Sequence, residues 1–504
     1  MNHGSTLRRN ASVVVCLSMI VHFFLPQRRR ELRDKRDFGT ALLKQFGIQS
    51  FSVFKPLLTL SSLRLCGKKR NSHDFSNCLS NPIQSSFLLL VFCLILPGRL
   101  HAQAMDTWEQ QANAQIDQLR RRNLQVIVLD QAQQPVPGAT VKIQQRRHDM
   151  PLGLAAGSDQ LPLDLLHNQP LAAPLYRVFN SVNLGDTGRW DHIEPEMGLG
   201  DWGKLRYWLD WAHDMGLTVR FGSVFSANSD HQADWVALQG RRDLMASIEL
   251  HQRQILGRYA NRVIGFDLYS HALGNRFIEQ QLSTVMLRRM FEQASATAPR
   301  VPMAIQMDDV LDPQRVQEAV SRMSELKAAF VPVNQWSVRL HVPADVDPRR
   351  LKSGLDWLSS LKLPIVVSDL TFASRCDARA IRTALSVLYG HPAVTGLYFG
   401  LTSAAELDAQ VTAPLVDEQG KPTAAGREID ELFTQVWTSQ GTLQTTELGS
   451  VQTRVFCGLY DLVATLPDGK VAYTSVYVSP DDQQPQGQKV VVLSPLAVSL
   501  EPMR

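Results

Sequence analysis

Cysteine is scarce, and most of it lies at one end of the chain. Of six cysteines, Cys16, Cys66, Cys78 and Cys93 fall within residues 1–104, leaving Cys376 and Cys457 in residues 105–504. Two thiols are too few for a disulfide scaffold, and sequence alone leaves open whether they pair. No CxxC pair, HxH pair or HExxH helix occurs, which argues against structural zinc and against the common hydrolytic metal sites. Asp308, Asp309, His271, His341 and Asp369 follow or end strand-like runs, but without such a pair they make a weak case for a divalent ion. No metal and no cofactor is expected.

An excess of positive charge is also missing from most of the chain. Residues 1–104 hold 15 of the 52 Lys and Arg and 4 of the 48 Asp and Glu, so residues 105–504 carry 37 against 44. The net charge of +4 therefore comes from the first fifth of the chain. A slightly acidic body lacks the basic face that nucleic acid or an anionic membrane requires. Long apolar runs are lacking too: residues 87–96 (FLLLVFCLIL) are ten apolar residues, half the ~20 that span a bilayer. Ala102-Gln103-Ala104 follows as a small-x-small pattern. Together they read as a secretory signal cleaved near Ala104, giving an exported, secreted or periplasmic, protein with no stable membrane span in the mature chain. The alternative is an N-terminal extension ending in a membrane anchor. Residues 1–80 show no sustained periodicity, which suggests an internal start codon.

What remains is ordinary globular material, 44% hydrophobic and 20% charged over 504 residues, enough for a large core. After a polar, Gln-rich helical stretch at 108–122, residues 124–129 (LQVIVL) and 139–143 (ATVKI) are β-rich runs around the turn Pro135-Val136-Pro137-Gly138. Short β-rich runs return at 451–456, 460–465, 471–478 and 489–493, with Asp468-Gly469 as a hairpin signal. Between these ends, apolar runs starting at residues 152, 179, 218, 263, 301, 336, 365 and 396 alternate with amphipathic stretches such as 205–215, 244–259 and 351–361. The starts are 27 to 45 residues apart, the length of one βα unit. Eight units predict a (β/α)8 barrel, with its site on the loops after the strands. The expected organisation is a leader at 1–104, an N-terminal helix and β segment at 105–150, the barrel at 151–438 and a C-terminal β-rich segment at 439–504. The flanking strands could join into one small β-sandwich beside the barrel.

Several motifs resemble glycoside hydrolase family 10, the xylanase family. Phe179-Asn180-Ser181-Val182 and Glu194-Pro195-Glu196-Met197-Gly198 resemble its FN-x-V and EPxxG blocks, and Leu363-Pro364-Ile365-Val366-Val367-Ser368-Asp369-Leu370 resembles LPIxITEL. Residues 264–271 (IGFDLYSH) stand where the family has WDVVNE, and Lys421-Pro422-Thr423-Ala424 echoes KPAY. The likeness covers about 124–433, and no single motif is intact. It implies a TIM barrel acting on or binding a β-1,4-linked polysaccharide such as xylan.

The same resemblance places the reacting groups. Retaining members use two carboxyl groups about 5 to 5.5 Å apart, one as nucleophile and one as acid/base. Here those positions hold Asp369 and His271, so both glutamates are replaced. Aspartate is shorter by one methylene, about 1.5 Å, against a tolerance of about 0.5 Å. The positions matching the family's sugar contacts hold Asp186, Arg189, His341 and Phe399, with Gly185, Gly222 and Ser226 at others; Arg339, two residues before His341, and the aromatic Trp190 and Tyr269, near presumed top loops or strand ends, are further candidates for binding sugar. Trp202, Trp235, Trp336, Phe225 and Tyr398 lie near presumed strand ends, while Trp208, Trp211 and Trp357 have the spacing of helix core positions. The expectation is a polysaccharide- or oligosaccharide-binding protein with lost or strongly reduced hydrolysis. The alternatives are an active O-glycosyl hydrolase with Asp369 as nucleophile and His271 as proton donor, or a scaffold that uses the barrel only as a rigid body.

Overall fold

The computed structural model describes residues 108–155, 177–308, 312–400, 413–417, 421–481 and 488–495. The signal-like run, Ala104, the first four cysteines and Asp309 lie outside the described residues.

A helix, α1 (108–120), leads directly into β1 (Arg121–Val128) and then β2 (Thr140–His148). Eight parallel strands close a barrel: β3 (Leu152–Ala155), β4 (Ser181–Asn183), β5 (Thr218–Ser226), β6 (Phe266–Ser270), β7 (Met303–Met307), β8 (Gln335–Val342), β9 (Ile365–Phe372) and β10 (Val394–Gly400). β10 pairs back onto β3, Leu397 opposite Leu152. The eight runs of the sequence are thus the eight staves, with bounds shifted by a few residues. Among the described residues, seven helices of eight or more residues alternate with or follow these strands: α2 (Gly203–Asp214), α3 (Arg241–Tyr259), α4 (Thr284–Thr297), α5 (Pro313–Ala328), α6 (Pro348–Ser359), α7 (Ala378–Tyr389) and α8 (Ala424–Glu431). Their starts are written locally. Asp312 accepts hydrogen bonds from the backbone N–H of Gln314 and Arg315, Asp347 does the same for Arg349 and Arg350, and proline occupies the first turn of α5 and α6. Each such cap contributes about 1 kcal/mol.

After the barrel come β11 (Gln440–Gln444), β12 (Ser450–Phe456), β13 (Gly458–Thr465), β14 (Val471–Val478) and β15 (Gln488–Leu493). They join β1 and β2 as two sheets, ordered β12-β1-β15 and β11-β2-β13-β14. Leu124, Val126 and Val128 from one sheet and Val141, Ile143, Tyr460 and Leu462 from the other share one core, the alternation expected of facing sheets. Both ends of the chain thus build one sandwich beside the barrel. β11 is an addition to the expected strands; its sequence, QGTLQ, is mostly exposed and carries no apolar alternation.

The lower lumen of the barrel holds a charged pair that the sequence did not announce. Arg220, 2% exposed, donates to Asp267, 0% exposed, at 2.5 Å and to Gln335 Oε1 at 2.8 Å. Gly265 leaves room for this guanidinium, since a Cβ there would stand 2.5 Å from Arg220 Nη1.

Candidate functional site

The C-terminal ends of the strands gather most of the polar residues singled out above. His271 follows β6, Asp308 follows β7, Arg339 and His341 are in β8, Asp369 is in β9, and Asp186 and Arg189 lie in and after the 3-10 turn Gly185–Gly188 that follows β4. This is the face where barrels of this kind place their chemistry.

Register explains two contacts. Arg339 lies opposite Asp369, and His341 opposite Thr371. The corresponding side chains meet: Arg339 Nη2 donates to Asp369 Oδ2 at 3.0 Å, and His341 Nδ1 lies 3.0 Å from Thr371 Oγ1. Arg339 Nε is also 3.7 Å from Asp308 Oδ1, so one guanidinium serves two carboxylates. The other oxygen of Asp308 lies 2.6 Å from His271 Nδ1, and the edge of the His231 ring meets His271 with centroids 4.6 Å apart. Across the site, Arg189 pairs with Asp186 at 3.2 Å and with Asp191 at 2.6 Å, and Ser223 Oγ donates to Asp186 Oδ1 at 2.9 Å.

Four carboxylates therefore share two guanidiniums, and for Asp186 and Asp308 the direction of the resulting shift is clear. Burial alone would raise the Asp186 carboxyl, but Arg189, Arg339 and His271 draw it below the usual range. Burial opposes ionisation of Asp308 as well, and is overcome by the hydrogen bond and charge of His271 and by Arg339. Burial, with Arg189 and His271 nearby, depresses His231. Three buried atoms are left without a hydrogen-bond partner in the protein: His271 Nε2, Asp308 Oδ1 and Asp369 Oδ1. Such atoms cost free energy unless solvent or a polar ligand satisfies them. Backbone strain accompanies them, since His271 adopts φ 52°, a region disfavoured for residues other than glycine. Gly400 keeps the pocket of Asp369 open; a Cβ there would lie 2.6 Å from Asp369 Oδ1.

Not every expected contact residue lies here. Trp190 is 3% exposed, stacked on His251 with centroids 4.9 Å apart and edge-on to Phe225 and Trp235. Its ring is packing, not a free platform. Tyr269 is buried and its hydroxyl donates to Glu279 Oε2 at 3.1 Å, within the Glu279–Arg322 ion pair of the helix layer. Phe399 is buried against Phe179 and Phe433. These three rings are corrections to the sequence reading: Trp190 and Phe399 pack against other rings, and Tyr269, beyond a register shift that follows Asp267, is tied into the helix layer, so none is a free platform at the barrel mouth. His271 is nearly covered, at 8% exposure. Conversely, His231, Ser223 and Asp191 join the cluster without having been singled out. Asp308 had appeared only as a possible metal ligand; its signal was the pair of acids closing the run MAIQMDD after a strand. Among the described residues no group of three or more His, Cys, Asp or Glu could hold a metal ion. Cys376 and Cys457 are both buried and are not joined to each other in a disulfide.

Comparison with known proteins fits this geometry. Residues 146–391 match the sequence model described as Glycosyl hydrolase family 10. Over that stretch, just under half of its length, the chain is similar to glycosyl hydrolase family 10. Its similarity to individual proteins is low: 23% identity over 372 residues to anti-sigma-I factor RsgI6 of Acetivibrio thermocellus, covering 73% of this chain and 48% of that protein. Endo-1,4-beta-xylanase 1 of Arabidopsis thaliana is 22% identical over 290 residues, covering 56% of this chain and 30% of that one. The chain thus spans half or less of the length of these two relatives. Among solved structures, xylanase 10B from Thermotoga maritima superposes with a TM-score of 0.51 at 16% identity, covering 57% of this chain and 96% of that one. The intracellular xylanase TsXylA of Thermoanaerobacterium saccharolyticum, solved with xylotriose, gives 0.50 at 18% identity, covering 56% and 95%. At such identity the family 10 structures speak for the fold alone.

Proposed function

We propose that this family 10-like protein is exported and binds a β-1,4-linked polysaccharide of the xylan type, with hydrolysis lost or strongly reduced. The single observation that carries the reading is the 3.0 Å hydrogen bond from Arg339 to Asp369. A carboxylate held by a guanidinium is a weaker nucleophile, because attack on an anomeric carbon must first give up that charge-assisted bond. The proton-donor position supports the same reading: His271 is nearly buried, and its Nδ1 is committed to Asp308. Binding needs neither group to move. The unsatisfied His271 Nε2, Asp308 Oδ1 and Asp369 Oδ1 suit the hydroxyls of a sugar, which both donate and accept. The endo-1,4-beta-xylanases among its sequence relatives indicate xylan.

The test incubates protein beginning at Met105 with insoluble xylan, glucan and mannan and scores retention and new reducing ends together. Retention on xylan without new reducing ends supports the proposal. Release that disappears in Asp369→Ala establishes a hydrolase instead, and absence of retention on every polysaccharide rejects both.

A further inference from the structure

The outer face of the four-stranded sheet carries an uncommon surface. Cross-strand register aligns Thr442, Lys142, Val463 and Tyr473 in one row, and Gln440, Gln144, Asp461 and Ser475 in the next. A further row pairs Leu459 with Tyr477. Tyr473 and Tyr477 are 62% and 48% exposed, on one side of one strand and about 13 Å apart at four residues' rise. Around them stand planar amides and hydroxyls. Asp461 is already engaged, accepting from Tyr473 Oη at 3.1 Å and Ser475 Oγ at 2.9 Å and pairing with Arg146 at 3.4 Å.

This strip does not end at the sheet. Leu459 and Tyr477 also line a cavity of about 470 Å³, together with Arg147, Asp149, Arg220 and Gln335. It lies where the sandwich meets the lower end of the barrel, opposite the face that holds Asp369: Pro151, before β3, and Ile264, before β6, are among its walls. Its size falls within the range of small-ligand pockets, about 300 to 1,000 Å³, which favour such junctions. Most charges there are balanced: Arg220 pairs with Asp267 and Arg146 on the strip with Asp461, while Lys142 and Arg147 are set against Asp149. The Nε of the buried Arg220 has no hydrogen-bond partner in the protein.

We propose that this strip and cavity form a second binding site, for an uncharged β-1,4-linked glycan whose chain lies across Tyr473 and Tyr477 and whose end enters the cavity. Aromatic faces meet the C–H patches of sugar rings, and amides and hydroxyls meet the hydroxyl groups. The near balance of charge favours an uncharged chain over a polyanion. The strip's continuity with the junction between sandwich and barrel gives the chain end a place to go, which a bare sheet face lacks. The site is independent of the one at the barrel mouth.

Calorimetric titration of the full chain with xylohexaose and with cellohexaose tests it. The expected result is a binding event that weakens roughly tenfold, about 1.4 kcal/mol, in Tyr473→Ala and in Tyr477→Ala, and is retained in Tyr473→Phe. Tyr473 is exposed, so its replacement leaves folding intact, and thermal unfolding of each variant verifies this. Equal binding by the wild type and both alanine variants overturns the proposal, as does the lack of any binding by either hexaose. Binding abolished only by Asp369→Ala overturns it while leaving the barrel-mouth reading in place.

Discussion

His251 offers a sharp physical test of how the mouth of the barrel is supported. The residue is 1% exposed, lies between Trp190 and Trp202, and leaves both ring nitrogens without partners. Burial pushes its pKa down to about 3 from 6.5. Below pH 6.5 the unfolded chain takes up a proton here that the folded chain refuses until about pH 3. Stability therefore falls with acidification across that window, by up to about 1.4 kcal/mol per pH unit. At pH 5 the loss from this one site amounts to about 2 kcal/mol. His251→Phe removes the titration, sacrifices no hydrogen bond and keeps a flat ring between the two tryptophans. Urea unfolding of both proteins at about pH 8 and pH 5 measures the difference, since midpoint times slope gives the stability. His148, whose pKa burial lowers to about 4, loses stability on acidification in both chains and cancels in the comparison. The variant is expected to lose about 2 kcal/mol less than the wild type between the two pH values. An identical loss in both proteins would refute the neutral, buried imidazole and, with it, the packing role assigned to Trp190.

Three further outcomes follow from the geometry. Arg220→Ala leaves Asp267 charged and alone in the lumen and should destabilise the fold by about 3 to 5 kcal/mol; the double change Arg220→Met with Asp267→Leu should recover most of that in the same denaturant titration. Gly400→Ala puts a methyl group against Asp369 and is expected to weaken xylan retention with little change in thermal midpoint; unchanged retention would separate Asp369 from binding. Asp312→Ala removes the cap of α5 and should cost about 1 kcal/mol in urea unfolding, with retention on xylan unaffected.

The barrel was legible because its eight apolar runs recur at the length of one βα unit, and because helix starts such as Asp312-Pro313 and Asp347-Pro348 are local. β11 escaped notice since an exposed edge strand of glutamine, threonine and glycine has no apolar period to read. The site was half legible. Asp186, Arg189, His271, Arg339, His341 and Asp369 lie at strand ends, where order along the chain fixes their place. Trp190, Tyr269 and Phe399 were misplaced because an aromatic residue at a strand end suits a core and a sugar platform equally, and only packing decides. Arg220 and Asp267 gave no signal; each is one charge inside an apolar run, and their partnership spans 47 residues.

The most direct test of the account asks whether Asp369 can attack. A retaining hydrolase passes through a covalent glycosyl-enzyme, which a 2-deoxy-2-fluoro-xylobioside with a good leaving group allows to accumulate. Intact-mass measurement after incubation should show an unchanged protein mass, because Arg339 holds the carboxylate and no accessible acid stands at the donor position. A mass increase of one fluoroxylobiosyl group that maps to Asp369 would contradict the account.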